Sequence, residues 1–202
     1  AVQAPLVPLL AGQWPGVDVA ESFADVSGFD LATPLMSLPL ALGTRLETIP
    51  AEVPYLQVEP RAESKGGRPR VGLVWSGSAG HKNDKNRSMS VATLAPLLDL
   101  PVDWVCLQPD LRANDLAWLA AHPEVVLDRP ALSDFAETAR LIAGLDLVVT
   151  VDTAVAHLAG ALGKPVWILL PTGADYRWLL DRADSPWYPS ARLFRQNARG
   201  DW

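Results

Sequence analysis

From residue 71 onward, short apolar runs alternate with mixed stretches long enough to form helices. Residues 71–75 (VGLVW) are continuously apolar, as a strand covered on both faces is. Residues 91–98 then predict a helix, with Ser90 at its N-cap. Residues 104–107 predict the next strand. A helix is expected over 112–121, with Leu111, Leu116 and Leu119 on or near one face. A short strand follows at 125–127. Residues 134–145 predict a helix with Ser133 as N-cap and Glu137 near its first turn. Then come a strand at 147–151, a helix at 153–162 and a strand at 166–170. This alternation builds right-handed βαβ units around a parallel sheet, so a Rossmann-like α/β domain is expected over 71–202.

The preceding part reads differently. Residues 61–70 (RAESKGGRPR) are polar, basic and glycine-containing, which marks a linker or long loop. Before them the apolar runs are short (5–10, 17–19, 29–42), and Pro34, Pro39, Pro50 and Pro54 break any long helix. Short strands and helices in need of a covering partner are expected, forming a partial N-terminal α/β domain over 1–60. The chain starts without Met in an apolar segment, as though entered within a fold, so a fragment is expected. No internal repeat or low-complexity segment occurs.

Composition narrows the function. Of 202 residues, 49% are hydrophobic and 20% charged, ordinary values for a soluble globular protein with a substantial core. A net charge of −6 argues against nucleic acid or an anionic membrane as the main partner. Any phosphate must therefore be held by local arrangement. Cys106 is the single cysteine and sits between Val105 and Leu107, as a core residue would. No disulfide is possible within the chain, which fits a reducing, cytoplasmic compartment. No stretch approaches the ~18 apolar residues of a transmembrane segment. The first residues lack the features of a signal peptide.

Ligands of open parallel sheets bind beyond the carboxyl ends of the strands, and two motifs fall there. In 152–163, Asp152 follows a strand directly at the N-cap position, and Thr153 lies in the first turn, where free N–H groups favour an anion. Thr153 and His157 are four apart and share a helix face. Ala154, Ala156, Ala159, Gly160 and Ala161 keep the helix slender, and Gly163 stops it. A packing helix with Asp152 as a cap and His157 as a satisfied buried histidine fits the same residues. In 75–87 (WSGSAGHKNDKNR), small residues allow close approach, and Ser76 and Ser78 offer hydroxyls. Lys82, Lys85 and Arg87 offer positive charge to a phosphate. The plain alternative is a charged surface loop. Walker A, Gly-x-Gly-x-x-Gly, Gly-x-Ser-x-Gly, Asp-x-Asp, CxxC and HExxH patterns are all missing, so the sequence points to no metal, nicotinamide or flavin.

Residues 71–87 and 148–165 together resemble the nucleotide-sugar-binding half of the ADP-heptose:lipopolysaccharide heptosyltransferase-like enzymes. The likeness is greatest to bacterial proteins that carry such a domain after tetratricopeptide repeats. It extends to VPYL (53–56) and the tail 185–202. The resemblance implies a GT-B glycosyltransferase, with two Rossmann-like domains facing across a cleft and the donor on the C-terminal one. Transfer would be metal-independent and need no cofactor. A nucleotide-diphosphate sugar would be the donor, and a hydroxyl on a glycan, lipid-linked or protein acceptor would receive the sugar. Ser76 and Ser78, with Gly77 and Lys82 beside them, would meet the diphosphate. Arg87, or Lys85, would neutralise the leaving group, and Asp152, Thr153 and His157 would form the donor motif. The family's N-terminal Gly-x-Gly-Asp loop, which carries the usual general base, has no counterpart here, so this fragment is expected to be inactive alone. Two other readings compete. One is a catalytically silent nucleotide-sugar-binding or interaction module attached to helical repeats. The other is a nucleotide-sugar epimerase, which calls for a carboxylate pair the sequence does not supply.

Overall fold

A computed structural model of the chain describes residues 1–22, 28–61, 67–123, 127–128 and 132–202. Its centre is a six-stranded sheet of β1 (Arg70–Val74), β2 (Asp103–Cys106), β3 (Leu127–Asp128), β4 (Leu147–Val151), β5 (Val166–Leu170) and β6 (Ala191–Arg195). The order is β3-β2-β1-β4-β5-β6 and every neighbouring pair is parallel. This is the Rossmann-like, doubly wound arrangement: strands add outward from β1 in one direction, then from β4 in the other.

The described helices, in chain order, are α1 (Val7–Leu10), α2 (Leu38–Ala41), α3 (Asp84–Arg87), α4 (Ala95–Leu98), α5 (Ala113–Ala121), α6 (Phe135–Ala143) and α7 (Ala154–Ala161). Successive strand side chains point to opposite faces, which divides the core in two. On one face Val74, Val105, Val148, Ile168 and Leu170 pack with α6 and α7. On the other, Val71, Leu73, Trp75, Cys106, Val149 and Val151 pack beneath Val91, Leu94 and Leu98. Burial on both sides explains why β1 and β4 read as unbroken apolar runs.

Several expectations shift. The helix at 134–145 starts on Asp134 rather than Ser133, because the Asp134 carboxylate accepts from the Glu137 N–H at 2.8 Å. The segment 91–98 begins as a tight 3-10 turn, Val91–Leu94, before α4, which carries a proline in its first turn. In α5 the residue turned inward is Asp115, while Leu116 is 45% exposed. Asp115 accepts from Trp75 Nε1 at 3.0 Å and from the Val91 N–H at 2.9 Å, so its burial is compensated. The strand expected at 125–127 is β3, Leu127–Asp128; residues 125 and 126 lie outside the described residues, as do 62–66 of the linker. No strand was expected in 185–202, yet β6 forms there, its buried Ala191 and Leu193 alternating with Arg192 and Phe194 at the sheet edge.

The described residues of 1–61 contain one-turn helices and no strand. Proline occupies the first turn of both α1 and α2, where its missing N–H costs least. This segment braces the Rossmann unit. Leu9 and Leu56 enter the core against α6 and α7. The N–H groups of Tyr55 and Leu56 both reach the Ala161 carbonyl at the end of α7, at 3.0 and 3.2 Å, and the Arg61 N–H reaches Arg140 O at 2.9 Å. Helix α7 ends in a Schellman turn: Gly163, at φ +66°, bonds back to Gly160 and Lys164 to Ala159.

Gly160 sets how closely α7 meets the chain that precedes β6. A Cβ there would lie 2.8 Å from Tyr188 Cδ2 and nearer still to Cγ and Cδ1 of the same ring. Gly160→Ala should therefore cost about 1–3 kcal/mol by overpacking. That corresponds to about 2–12 °C in melting temperature for a chain of this size. An unchanged melting curve would contradict this packing.

Candidate functional site

A cleft of about 850 Å³ opens beyond the carboxyl ends of β1, β2 and β4, where the strand order reverses. Its walls come from the loop after β1 (Ser76, Gly77, Ser78, Ala79, Gly80, Arg87), the loop after β2 (Gln108 to Arg112), the start of α6 (Leu132 to Phe135) and the start of α7 (Thr153 to Val155).

The loop after β1 is held in shape by side chains that no local motif announces. Gln108 Oε1 accepts from the backbone N–H groups of Trp75 and Ser76 at 3.3 and 3.1 Å, and its Nε2 donates to the Ser76 hydroxyl. Ser76 is buried, and with one oxygen lone pair used its own hydroxyl proton is available to the cleft. Further along, the Gly77 N–H donates to Ser88 Oγ at 2.9 Å and Ser88 Oγ donates to Asp84 Oδ1 at 2.6 Å. Arg112 Nη2 closes the group on Asp84 Oδ2 at 2.8 Å.

Arg87 joins this loop to the end of β4. Its guanidinium lies directly against Gly77, where a Cβ would come within 2.6 Å of Arg87 Cζ. Its Nη1 donates to the Asp152 backbone carbonyl at 2.8 Å. Among the described residues Arg87 has no carboxylate within 4.0 Å, and its buried Nε has no partner. Among the described residues the acceptor bonded to this half-buried cation is a neutral carbonyl, so no carboxylate neutralises its charge beside the cleft.

At the β4 end, the N-cap of α7 is Thr153 rather than Asp152. The Thr153 hydroxyl bonds Thr150 Oγ1 at 3.1 Å, while Thr150 donates on to Val151 O at 2.8 Å. Thr153 lines the cleft with Ala154 and Val155, so the first-turn N–H groups of α7 border the same space as Arg87. Asp152 turns away, and its Oδ1 accepts from Trp178 Nε1 at 2.9 Å. His157 stacks on Trp178, with ring centres 5.0 Å apart and planes 13° apart, and its Nδ1 bonds Tyr188 Oη at 3.1 Å.

The residues singled out from the sequence therefore divide. Ser76, Gly77, Ser78, Arg87 and Thr153 gather around the cleft. Asp152 and His157 stand behind it, joined to Arg87 through the Asp152 carbonyl. Lys82 and Lys85 are exposed and outside its lining, because the chain turns back at 78–81 through the His81 N–H to Ser78 O bond. Gln108, Asp84, Arg112 and Trp178 were not singled out. The rule that placed the loops after β1 and β4 applies equally after β2, and would have nominated Gln108 and Arg112. Nothing local marks Trp178. Among the described residues no cluster of three or more His, Cys, Asp or Glu is placed to hold a metal ion, and no helix is long and apolar enough to cross a membrane.

Comparison with known proteins bears on one part of this site. Residues 130–172 match the model of glycosyltransferase family 9 (heptosyltransferase), a span that includes α6, β4, α7 and β5. The chain is 32% identical over 170 residues to Protein FlbA of Caulobacter vibrioides. That match covers 77% of this chain and 28% of FlbA, so the chain spans little more than a quarter of this relative's length. No solved structure matches the chain.

The groups behind the cleft titrate as buried ones do. Burial, opposed by the charge of Asp152, holds the His157 imidazole below its ordinary value of 6.5, and burial pushes the Tyr188 phenol upward. As pH falls through 6.5 the unfolded chain protonates His157 more readily than the folded one, so stability declines below that value. His157→Gln removes this contribution. Between about pH 7.5 and about pH 5 its melting temperature should fall less than that of the wild type. Parallel falls would contradict a neutral, buried His157.

Proposed function

We propose that the cleft holds the diphosphate of a nucleotide sugar and that the chain is the donor-binding portion of a glycosyltransferase. The observation that carries this reading is Arg87: a guanidinium with no carboxylate partner among the described residues, lining a roomy cleft together with the first turn of α7. The family 9 match supports it, since the matched residues supply Thr153 and α7. The acidic net charge of −6 also fits an anion site made locally rather than by a basic surface.

The chemistry follows from where charge develops. In sugar transfer the bond between the anomeric carbon and the diphosphate oxygen breaks, and its electron pair leaves on the diphosphate. An acceptor hydroxyl bonds to the same carbon, and its proton passes to a base or to the departing diphosphate. Arg87 and the first-turn N–H groups of α7 would stabilise the departing charge without rearranging, because both are already fixed. Ser76 and Ser78 would add hydroxyl donors, and no step in this account requires a metal. A glycan, a lipid-linked sugar or a protein hydroxyl could each serve as acceptor. Cys106 is the single cysteine and is buried in the core, which agrees with a cytoplasmic setting.

A thermal-shift panel of ADP, UDP and GDP tests this directly. At a hundredfold excess over Kd, the matching nucleotide should stabilise the fold by about 2.7 kcal/mol. The melting point should then rise by about 5–11 °C. No shift with any of the three would overturn the reading. Arg87→Ala should weaken binding about 10- to 100-fold, the effect of losing a charge-assisted hydrogen bond. Gly77→Ala should weaken it too, by displacing Arg87, and undiminished affinity in both variants would remove Arg87 from the site.

A further inference from the structure

We infer that Arg112 is a second phosphate-binding residue of this cleft, paired with Arg87 in a two-guanidinium clamp about Gly77. The inference rests on the nucleotide-sugar reading above and assigns a residue that neither the sequence motifs nor the family match reaches: Arg112 lies outside residues 130–172.

Both guanidinium groups are fixed on one glycine. Arg87 lies against the Gly77 α-carbon, and Arg112 Nη2 donates to the Gly77 carbonyl at 3.2 Å. Two like charges so close are costly unless anions answer them. Among the described residues the ion pairs supply one carboxylate, Asp84, to the pair, and it is bonded to Arg112 alone. The other Asp84 oxygen is occupied by Ser88. The pair therefore carries an excess positive charge at the cleft wall.

The use of Arg112's donors points the same way. An arginine serving only to pin a carboxylate commonly presents two donors to it side by side. Among the described residues the bonds to Asp84, Gly77 and Ser88 (3.4 Å) all leave from Nη2, which leaves Nε and Nη1 without a partner there. The side chain is 39% exposed and lines the cleft. Arg112 also occupies the N-cap position of α5 without any side-chain cap bond, so capping does not explain it. Arg87 and Arg112 flanking one loop suit an anion with two phosphate groups better than one.

The test compares ADP with AMP, UDP with UMP and GDP with GMP by calorimetry on the 202-residue chain. Arg112→Gln should weaken the diphosphate by about tenfold while the monophosphate changes less than about threefold, so discrimination collapses. Arg112→Lys, which keeps the charge but not the fork, should lose part of that discrimination. If Arg112 merely supports the loop, both ligands weaken together or neither changes, and either result overturns the inference. Should Arg112→Gln fail to fold by circular dichroism, Arg112→Lys decides alone, and an unchanged ratio in it is fatal. A wild type that binds none of the six nucleotides sinks the nucleotide-sugar reading itself, and this assignment with it.

Discussion

The Arg87 guanidinium, laid against Gly77 and bonded to the Asp152 carbonyl, is the contact on which the rest of the site depends. It joins the two loops that flank the point where the sheet changes direction, and so defines the cleft as one space. Its charge has no carboxylate partner among the described residues, which is unusual for a half-buried arginine. Desolvating a cation without a counter-ion is unfavourable, and an anionic ligand in the cleft would relieve that cost. The glycine beneath it is a steric requirement, since any side chain at 77 would occupy the position of Arg87.

Behind the Asp152 carbonyl lies a rigid support. Trp178 is fully buried, donates to the Asp152 carboxylate and stacks on His157, which Tyr188 holds in turn. Arg195 clamps the same loop, giving hydrogen bonds to Trp178 O at 2.6 Å and Arg182 O at 3.1 Å. These contacts hold Leu179 at φ 55° and ψ −164°, a conformation an isolated leucine avoids. The loop between β5 and β6 thus fixes Asp152 without reaching the cleft. On this account Asp152 and His157 belong together because they brace one carbonyl, the acceptor that orients Arg87.

How far the sequence discloses this differs by element. Strands β1 and β4 were legible because burial on two faces leaves unbroken apolar runs, and β5 because all its residues are apolar, although Trp167 on its second face is 40% exposed. The helix after β4 was legible because Gly163 can mark only its end. Cap positions were less so: Ser133 and Asp134, or Asp152 and Thr153, are adjacent residues equally able to cap. The path of the chain, and the pull of Trp178 on Asp152, decided between them. Apolar periodicity favoured Leu116 facing inward, but the Trp75 indole at the end of β1 needs an acceptor, and Asp115 provides it. Strand β6 escaped notice because an edge strand mixes Arg192 and Arg195 with its apolar positions. Within the site, the serines, Gly77, Arg87 and Thr153 could be read from local motifs. Gln108 and Arg112 act through contacts 24 to 35 residues distant in sequence, and Asp84 meets Arg112 28 residues away, which no local pattern displays.

The proposed site puts a diphosphate between Gly77 and the start of α7, against Arg87. A crystal structure of the chain with a nucleoside diphosphate tests it most directly. Phosphate oxygens should lie within about 3.2 Å of the Arg87 guanidinium and of first-turn N–H groups of α7. A nucleotide bound elsewhere, or one in the cleft whose phosphates leave Arg87 untouched, would contradict it.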